Sequence, residues 1–402
     1  MARNARRELA ELLSAKEMIV VCGSGGTGKT TIAAALGAQA AAVIGGRVLV
    51  LTVDPARRLA TALGLGSAGF GNTAVRVPPE AFAAAGLACR GELWVAMLDT
   101  KAGWDELIRR HAPDAQLRDT VLANPLYRNI TGRFVNSHDY LAMERLYDVH
   151  ASGEYDLVVI DTPPSRNALD LLDAPGRMRE FFGSRLLRWL TVPYRSRLFT
   201  MASKPFYQVA DRILGSRFLQ DIAEFFVLFQ TMEAGFVARA REVERLLTED
   251  GTAFVVISTL ESAPAREARF LAEELQQRRM PLGALVLNRT LPAEVRQPAA
   301  AKAATTLADA IAKPAGRGAG AGLLTELEAA TGCAAGDVQH VLGEVAARFR
   351  DVTIVAGREA ERRRELEAVV PLCAVVPTMS SDVHDLPGLL AIGAHLLGTE
   401  KR

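Results

Sequence analysis

Short apolar runs, each closed by a polar or turn-forming residue, recur along the chain at Glu17–Val21, Gly46–Val53, Glu92–Leu98, Tyr155–Asp161, Ala253–Thr259, Gly283–Arg289 and Leu372–Pro377. Continuous Val, Ile and Leu over so few residues is the pattern of strands buried on both faces, as in parallel sheets. Helical spacing fills the intervals. Thr31–Leu36 opens an Ala-rich helix, Lys101–His150 alternates apolar and charged positions at helical spacing, and Pro264–Arg279 lies between two of the strands. A leading helix is expected at the N-terminus and another after Asp385. Strands followed repeatedly by helices imply an α/β fold with a mostly parallel sheet covered on both faces.

Three stretches depart from this rhythm. Gly66–Gly91 is rich in Gly, Ala and Pro and reads as a surface excursion. Gly176–Leu247 holds Phe181-Phe182, Leu186-Leu187 and Phe225–Phe229, interrupted by arginines and acids, so several amphipathic helices are expected. They form either an ordinary helical core or a groove that accepts an apolar helix. Residues 298–323 are dominated by Ala and Gly and are expected to be mobile. The chain therefore reads as one domain over 1–402, with helical subdomain segments at 100–150 and 176–247 inserted in it. No internal repeat is visible.

Composition narrows the classes. Hydrophobic residues make up 49% and charged residues 23% of 402, with a formal net charge of +1, so no global basic field recruits nucleic acid. The four cysteines, Cys22, Cys89, Cys333 and Cys373, are scattered without a C-x-x-C pair. That spacing argues against a disulfide framework, a zinc site or an iron–sulfur cluster within one chain. The basic start is followed early by Glu8 and Glu11 without an apolar signal core, and Thr30–Gly46 is Ala/Gly-rich rather than a membrane span. A cytoplasmic location is expected.

The chemistry is concentrated after the first strand. Gly23-Ser24-Gly25-Gly26-Thr27-Gly28-Lys29-Thr30-Thr31 has the spacing of a phosphate-binding loop between a strand and a helix. Glycines let backbone N–H groups turn toward phosphates, Lys29 supplies charge at the β/γ-phosphates, and the Thr30 hydroxyl suits Mg²⁺. The helix N-terminus adds its dipole. ATP and Mg²⁺ are the expected ligands. Asp161 closes an apolar strand, a Walker B position for Mg²⁺, although an N-cap is the commoner role for such a residue. Thr162–Asn167 follows as a candidate sensor of the γ-phosphate. Asp54 ends its own strand, where ligands of such sheets collect, and it can also cap the helix beginning at Pro55.

In this order, the loop, Thr52-Val53-Asp54-Pro55-Ala56, Asp161-Thr162-Pro163-Pro164 and Leu287-Asn288-Arg289 with Val376-Pro377 resemble the arsenite-efflux and tail-anchored-protein-targeting ATPases. The bacterial branch of anion-transporting ATPases is the nearest resemblance. It implies dimers that close around ATP and open after hydrolysis. By position it implies that Lys29 and Thr30 bind phosphate and Mg²⁺, and that Asp54 positions the attacking water and, with Asp161, serves the metal. Asn288 and Pro377 would contact adenine.

Three departures stand out. Ser24 occupies the place of the family's second lysine, which in relatives reaches the partner's phosphates, so slow hydrolysis alone is expected. The zinc-bridging C-x-x-C and a recognisable arsenite-binding cysteine cluster are both absent. The resemblance thus implies an ATPase switch, as a homodimer or with a lysine-bearing paralog, serving a partner or an apolar client helix. A non-catalytic nucleotide-binding subunit and a partition or division-positioning ATPase are the alternatives.

Overall fold

The computed structural model describes residues 2–53, 73–98, 100–112, 114–124, 137–162, 233–311 and 320–398, with a few isolated positions between them. In chain order the elements are α1 (Ala2–Ala15), β1 (Met18–Gly23), α2 (Lys29–Gln39), β2 (Arg47–Thr52), β3 (Val75–Arg76), α3 (Pro79–Ala84) and β4 (Glu92–Met97). Next come α4 (Thr100–His111), α5 (Ala115–Ala123), α6 (Ser137–Ser152), β5 (Leu157–Asp161), α7 (Glu233–Thr248), β6 (Thr252–Ser258), α8 (Ser262–Gln277) and β7 (Leu282–Thr290). The chain closes with α9 (Pro298–Ile311), α10 (Gly320–Thr331), α11 (Ala335–Glu367), β8 (Cys373–Pro377) and α12 (Leu386–Leu397).

The strands form one sheet in the order β3-β4-β2-β5-β1-β6-β7-β8. Every pairing is parallel except that of β3, which runs antiparallel to β4 at the edge. Each of the apolar runs noted above became a strand, because a sheet covered on both faces buries every side chain of its inner strands. Alternation sorts those side chains. Met18, Val20 and Cys22 of β1, with Leu49 and Leu51 of β2, face a core shared with α4 to α8. Ile19 and Val21, with Val48 and Val50, face a second core shared with α1, α2, α3 and α12. The neighbours β5, β6 and β7 alternate in phase with them, so even and odd positions meet different helical layers.

One expectation is revised. The Gly66–Gly91 stretch is more than a surface excursion: it contains β3 and α3, and Phe82 is only 1% exposed in the α2 core. One aromatic at the right place anchors a segment that composition alone marks as a loop. The Ala-rich stretch at 298–323 is helical over Pro298–Ile311 and from Gly320 onward, with Ala304 buried. Alanine has the highest helix propensity, which suits its residues to these helices.

The described helices of 100–150, with α7, share one continuous apolar core with the sheet through Trp104, Leu107, Leu141, Leu146, Phe236 and Val243. The aromatic-rich part of 176–247, including Phe181, Phe182 and Phe225–Phe229, lies outside the described residues. Among the described residues no helix is long and apolar enough to cross a membrane.

Candidate functional site: a glycine loop at the end of the central strand

Strand β1 lies inside the sheet between β5 and β6, and the loop Gly23–Gly28 leaves its carboxyl end. Chain excursions to either side of β1 diverge there, which opens the crevice where ligands of parallel sheets bind. The loop's first and last glycines are needed for different reasons. Gly23, at φ +143°, passes so close to β6 that a Cβ would fall 2.2 Å from the Ile257 carbonyl oxygen. Gly28, at φ +90°, is the left-handed residue that turns the chain into α2, and a Cβ there would meet the Asn288 amide nitrogen at 2.4 Å.

The interior of the loop is tied to itself. The carbonyl of Ser24 accepts hydrogen bonds from the Thr27 hydroxyl at 2.9 Å and from the Lys29 ammonium at 3.0 Å. Lys29 is only 6% exposed, so the loop curls around a largely buried cation. The N-terminus of α2 carries no side-chain cap, and Thr30 and Thr31 sit half-buried on its first turn. The dipole end of the helix therefore faces the loop uncompensated.

These residues fit a nucleotide phosphate. A Cβ built on Gly25 or Gly26 meets nothing within 4 Å, so the crest of the loop is open backbone. The Ser24 hydroxyl is buried with no hydrogen-bond partner among the described residues. An open glycine crest, an uncapped helix start and a buried ammonium together make an anion cradle.

Beside the loop, Asp161 ends β5 and is fully buried. Its register partners are Val21 on one side and Thr52 on the other, and the Thr52 hydroxyl donates to its carboxylate at 2.9 Å. Alternation places Thr52, Asp161 and Asn288 all on the α2 face of the sheet, since they share the parity of Val50, Val159 and Val286. Thr52 was missed as a site residue by sequence reasoning. Its only signal was a hydroxyl closing an apolar strand in the place where a neighbouring strand ends in aspartate.

The structure brings Asn288 directly onto the loop: its side-chain amide donates to the Thr27 carbonyl at 2.9 Å. Pro377 ends β8 opposite Thr290 on the adjacent strand, and Thr378 N–H donates to the Thr290 carbonyl at 2.9 Å. Asp54 and Pro163 to Asn167, expected next to the phosphates, lie outside the described residues.

The cysteines bear on chemistry as well. Burial pushes the Cys22 thiol up to about 12, with the Lys29 charge acting weakly against it, and burial pushes Cys373 up to about 12. Both are protonated thiols at neutral pH, poor ligands and poor nucleophiles.

A strand, a glycine loop, a helix N-terminus and a second strand ending in a buried aspartate, set in a parallel sheet, define a P-loop nucleotide-triphosphatase fold. Within that class the chain belongs to the anion-transporting ATPase family, whose family model matches residues 16–310. It is 30% identical over 280 residues to an uncharacterized protein of Streptomyces coelicolor, covering 68% of this chain and 62% of that one. It is 25% identical over 315 residues to the ATPase BagA of Mycobacterium tuberculosis, covering 74% of this chain and 72% of the relative. The chain thus spans less than two thirds of the Streptomyces relative's length.

Proposed function

We propose that the chain binds Mg-ATP at the Gly23–Thr31 loop and hydrolyses it, working as a dimeric switch whose nucleotide state is read by a partner or an apolar client helix. The observation that carries the ATP part is the open Gly25–Gly26 crest beside the uncapped start of α2 and the buried Lys29 ammonium. In this reading Lys29 leaves the Ser24 carbonyl and turns its charge to the β/γ-phosphates. Backbone N–H groups of the loop and of the first turn of α2 bind the phosphate oxygens. Thr30, Asp54 and Asp161 would hold the metal, with Asp161 kept in orientation by the Thr52 hydroxyl. Bound Mg²⁺ supplies positive charge against the phosphate oxygens. Asp54 orients the attacking water, and Asn288 and Pro377 border the base.

A second reading is favoured by one residue. Ser24 stands where the family resemblance implies a lysine that reaches a partner's phosphates, and its own hydroxyl is buried. A short neutral side chain lacks the charge for that role, so the chain would be the lysine-lacking half of a heterodimer. Steady-state ATP hydrolysis across protein concentration separates the readings, with Lys29→Ala as control. Specific activity that rises with concentration and vanishes in the control supports a self-sufficient homodimer. Tight Mg-ATP binding without turnover supports the subunit reading, and absence of Mg-ATP binding defeats both.

A further inference from the structure

Asn288 makes two contacts that a role against a base does not explain. Its side chain is 6% exposed, and both ends of its amide are engaged. The Oδ1 atom accepts from the Arg289 N–H at 2.9 Å, while Nδ2 donates to the Thr27 carbonyl at 2.9 Å. The first bond fixes which way the amide is turned, because a flipped amide would set its NH₂ against the Arg289 N–H and its oxygen against the Thr27 carbonyl.

The backbone is shaped to deliver that amide. Register between β7 and β8 shifts between Leu287 and Thr290: Leu287 faces Val375, but Thr290 faces Pro377, so β7 holds one extra residue. Arg289, inside this bulge, lies at φ +54°, a left-handed conformation that non-glycine residues adopt at a cost. Bulges of this kind re-aim a side chain at a strand end. On the other side of the contact, Gly28 has no Cβ, and one placed there would sit 2.4 Å from Nδ2. Asn288 therefore reaches the loop from the strand end next to the bulge, into space that Gly28 leaves open.

We propose that Asn288 is a positioning residue that braces the phosphate loop through the Thr27 carbonyl and thereby strengthens phosphate binding whether or not the ligand carries a base. In a planar trans peptide the carbonyl and the following N–H point in opposite directions. Holding Thr27 C=O toward β7 therefore holds the Gly28 N–H away from it, and fixes that donor's direction before any ligand arrives. Preorganised donors lose less freedom on binding. The second Nδ2 hydrogen stays available, so a brace and a base contact are compatible in one residue.

This inference rests on the loop being a phosphate site, and two probes keep the two ideas apart. Calorimetry measures the affinity of wild type, Asn288→Ala and the uncharged, similarly branched Asn288→Leu for Mg-ATP and for Mg-tripolyphosphate, which has no base. Hydrogen exchange of the loop is followed in the ligand-free proteins, with circular dichroism reporting the fold. A brace predicts that both variants lose about ten-fold in affinity for each ligand, the scale of one buried hydrogen bond, and that loop amides exchange faster without ligand. Should Asn288→Ala not fold, Asn288→Leu fills the space without a charge and carries the test.

Weakened ATP binding with unchanged tripolyphosphate affinity and unchanged loop exchange would overturn the brace and leave a base contact alone. Unchanged affinity for both ligands would overturn it as well. A wild type that binds neither ligand would instead remove the phosphate reading on which the brace depends.

Discussion

Replacing Thr52 with valine isolates the bond that holds the buried aspartate. Valine keeps the branched shape and strand preference of threonine, so the change removes a hydroxyl and little else. Both partners are fully buried, and the Thr52 hydroxyl donates to the Asp161 carboxylate at 2.9 Å. Removing the donor of a buried hydrogen bond costs about 1–3 kcal/mol, because bulk water does not reach the oxygen it served. About 2 kcal/mol is thus expected, roughly a thirty-fold change in the folding equilibrium. Urea unfolding of the ligand-free protein would show it as a lower midpoint at unchanged slope. In a double-mutant cycle with Asp161→Asn, the two changes would couple by about 1 kcal/mol or more, since they share one bond. A Thr52→Val protein within about 0.5 kcal/mol of wild type, additive with Asp161→Asn, would refute the claim that Thr52 orients Asp161.

Other parts of the structure make separate predictions. Gly28→Ala must place a Cβ at φ +90° and against the Asn288 amide, so a loss of about 2–3 kcal/mol is expected in the same unfolding assay; a wild-type midpoint would show that neither strain nor the contact matters. Phe82→Ala, at a site only 1% exposed, should cost about 3–5 kcal/mol and make the segment around α3 open to limited proteolysis, whereas an unchanged digest would mean α3 is not anchored there. Alkylation at neutral pH followed by peptide mapping should label exposed Cys333 first and Cys22 only on unfolding, because burial holds the Cys22 thiol near about 12; rapid labelling of Cys22 in the folded protein would contradict its burial.

Much of the architecture was legible before any coordinates. The strands were visible because their apolar runs are short, continuous and separated by helical periodicity, a combination that only a sheet buried on both faces requires. The glycine loop was legible because a strand, glycines at fixed spacing and a helix start are all local features of the chain. Helix ends were less so. Asp385 caps α12, accepting the Gly388 N–H at 2.9 Å, but the 33 residues of α11 begin without any side-chain cap that would mark the start. Phe82 was overlooked because its neighbours Ala, Gly and Pro carry no period, and burial of one ring depends on what lies opposite.

Sequence alone determined the seven apolar strands and the residues of the cradle, since both follow from patterns among residues near each other in the chain. The tertiary structure decided which of the distant polar residues meet. Thr52 and Asp161 are joined because β2 and β5 are neighbours in register, and Asn288 reaches Thr27 because β7 carries it on the α2 face of the sheet, beside the loop. Sheet order and strand register are long-range choices, settled by how two helical layers pack on one twisted sheet. No local pattern carries that information.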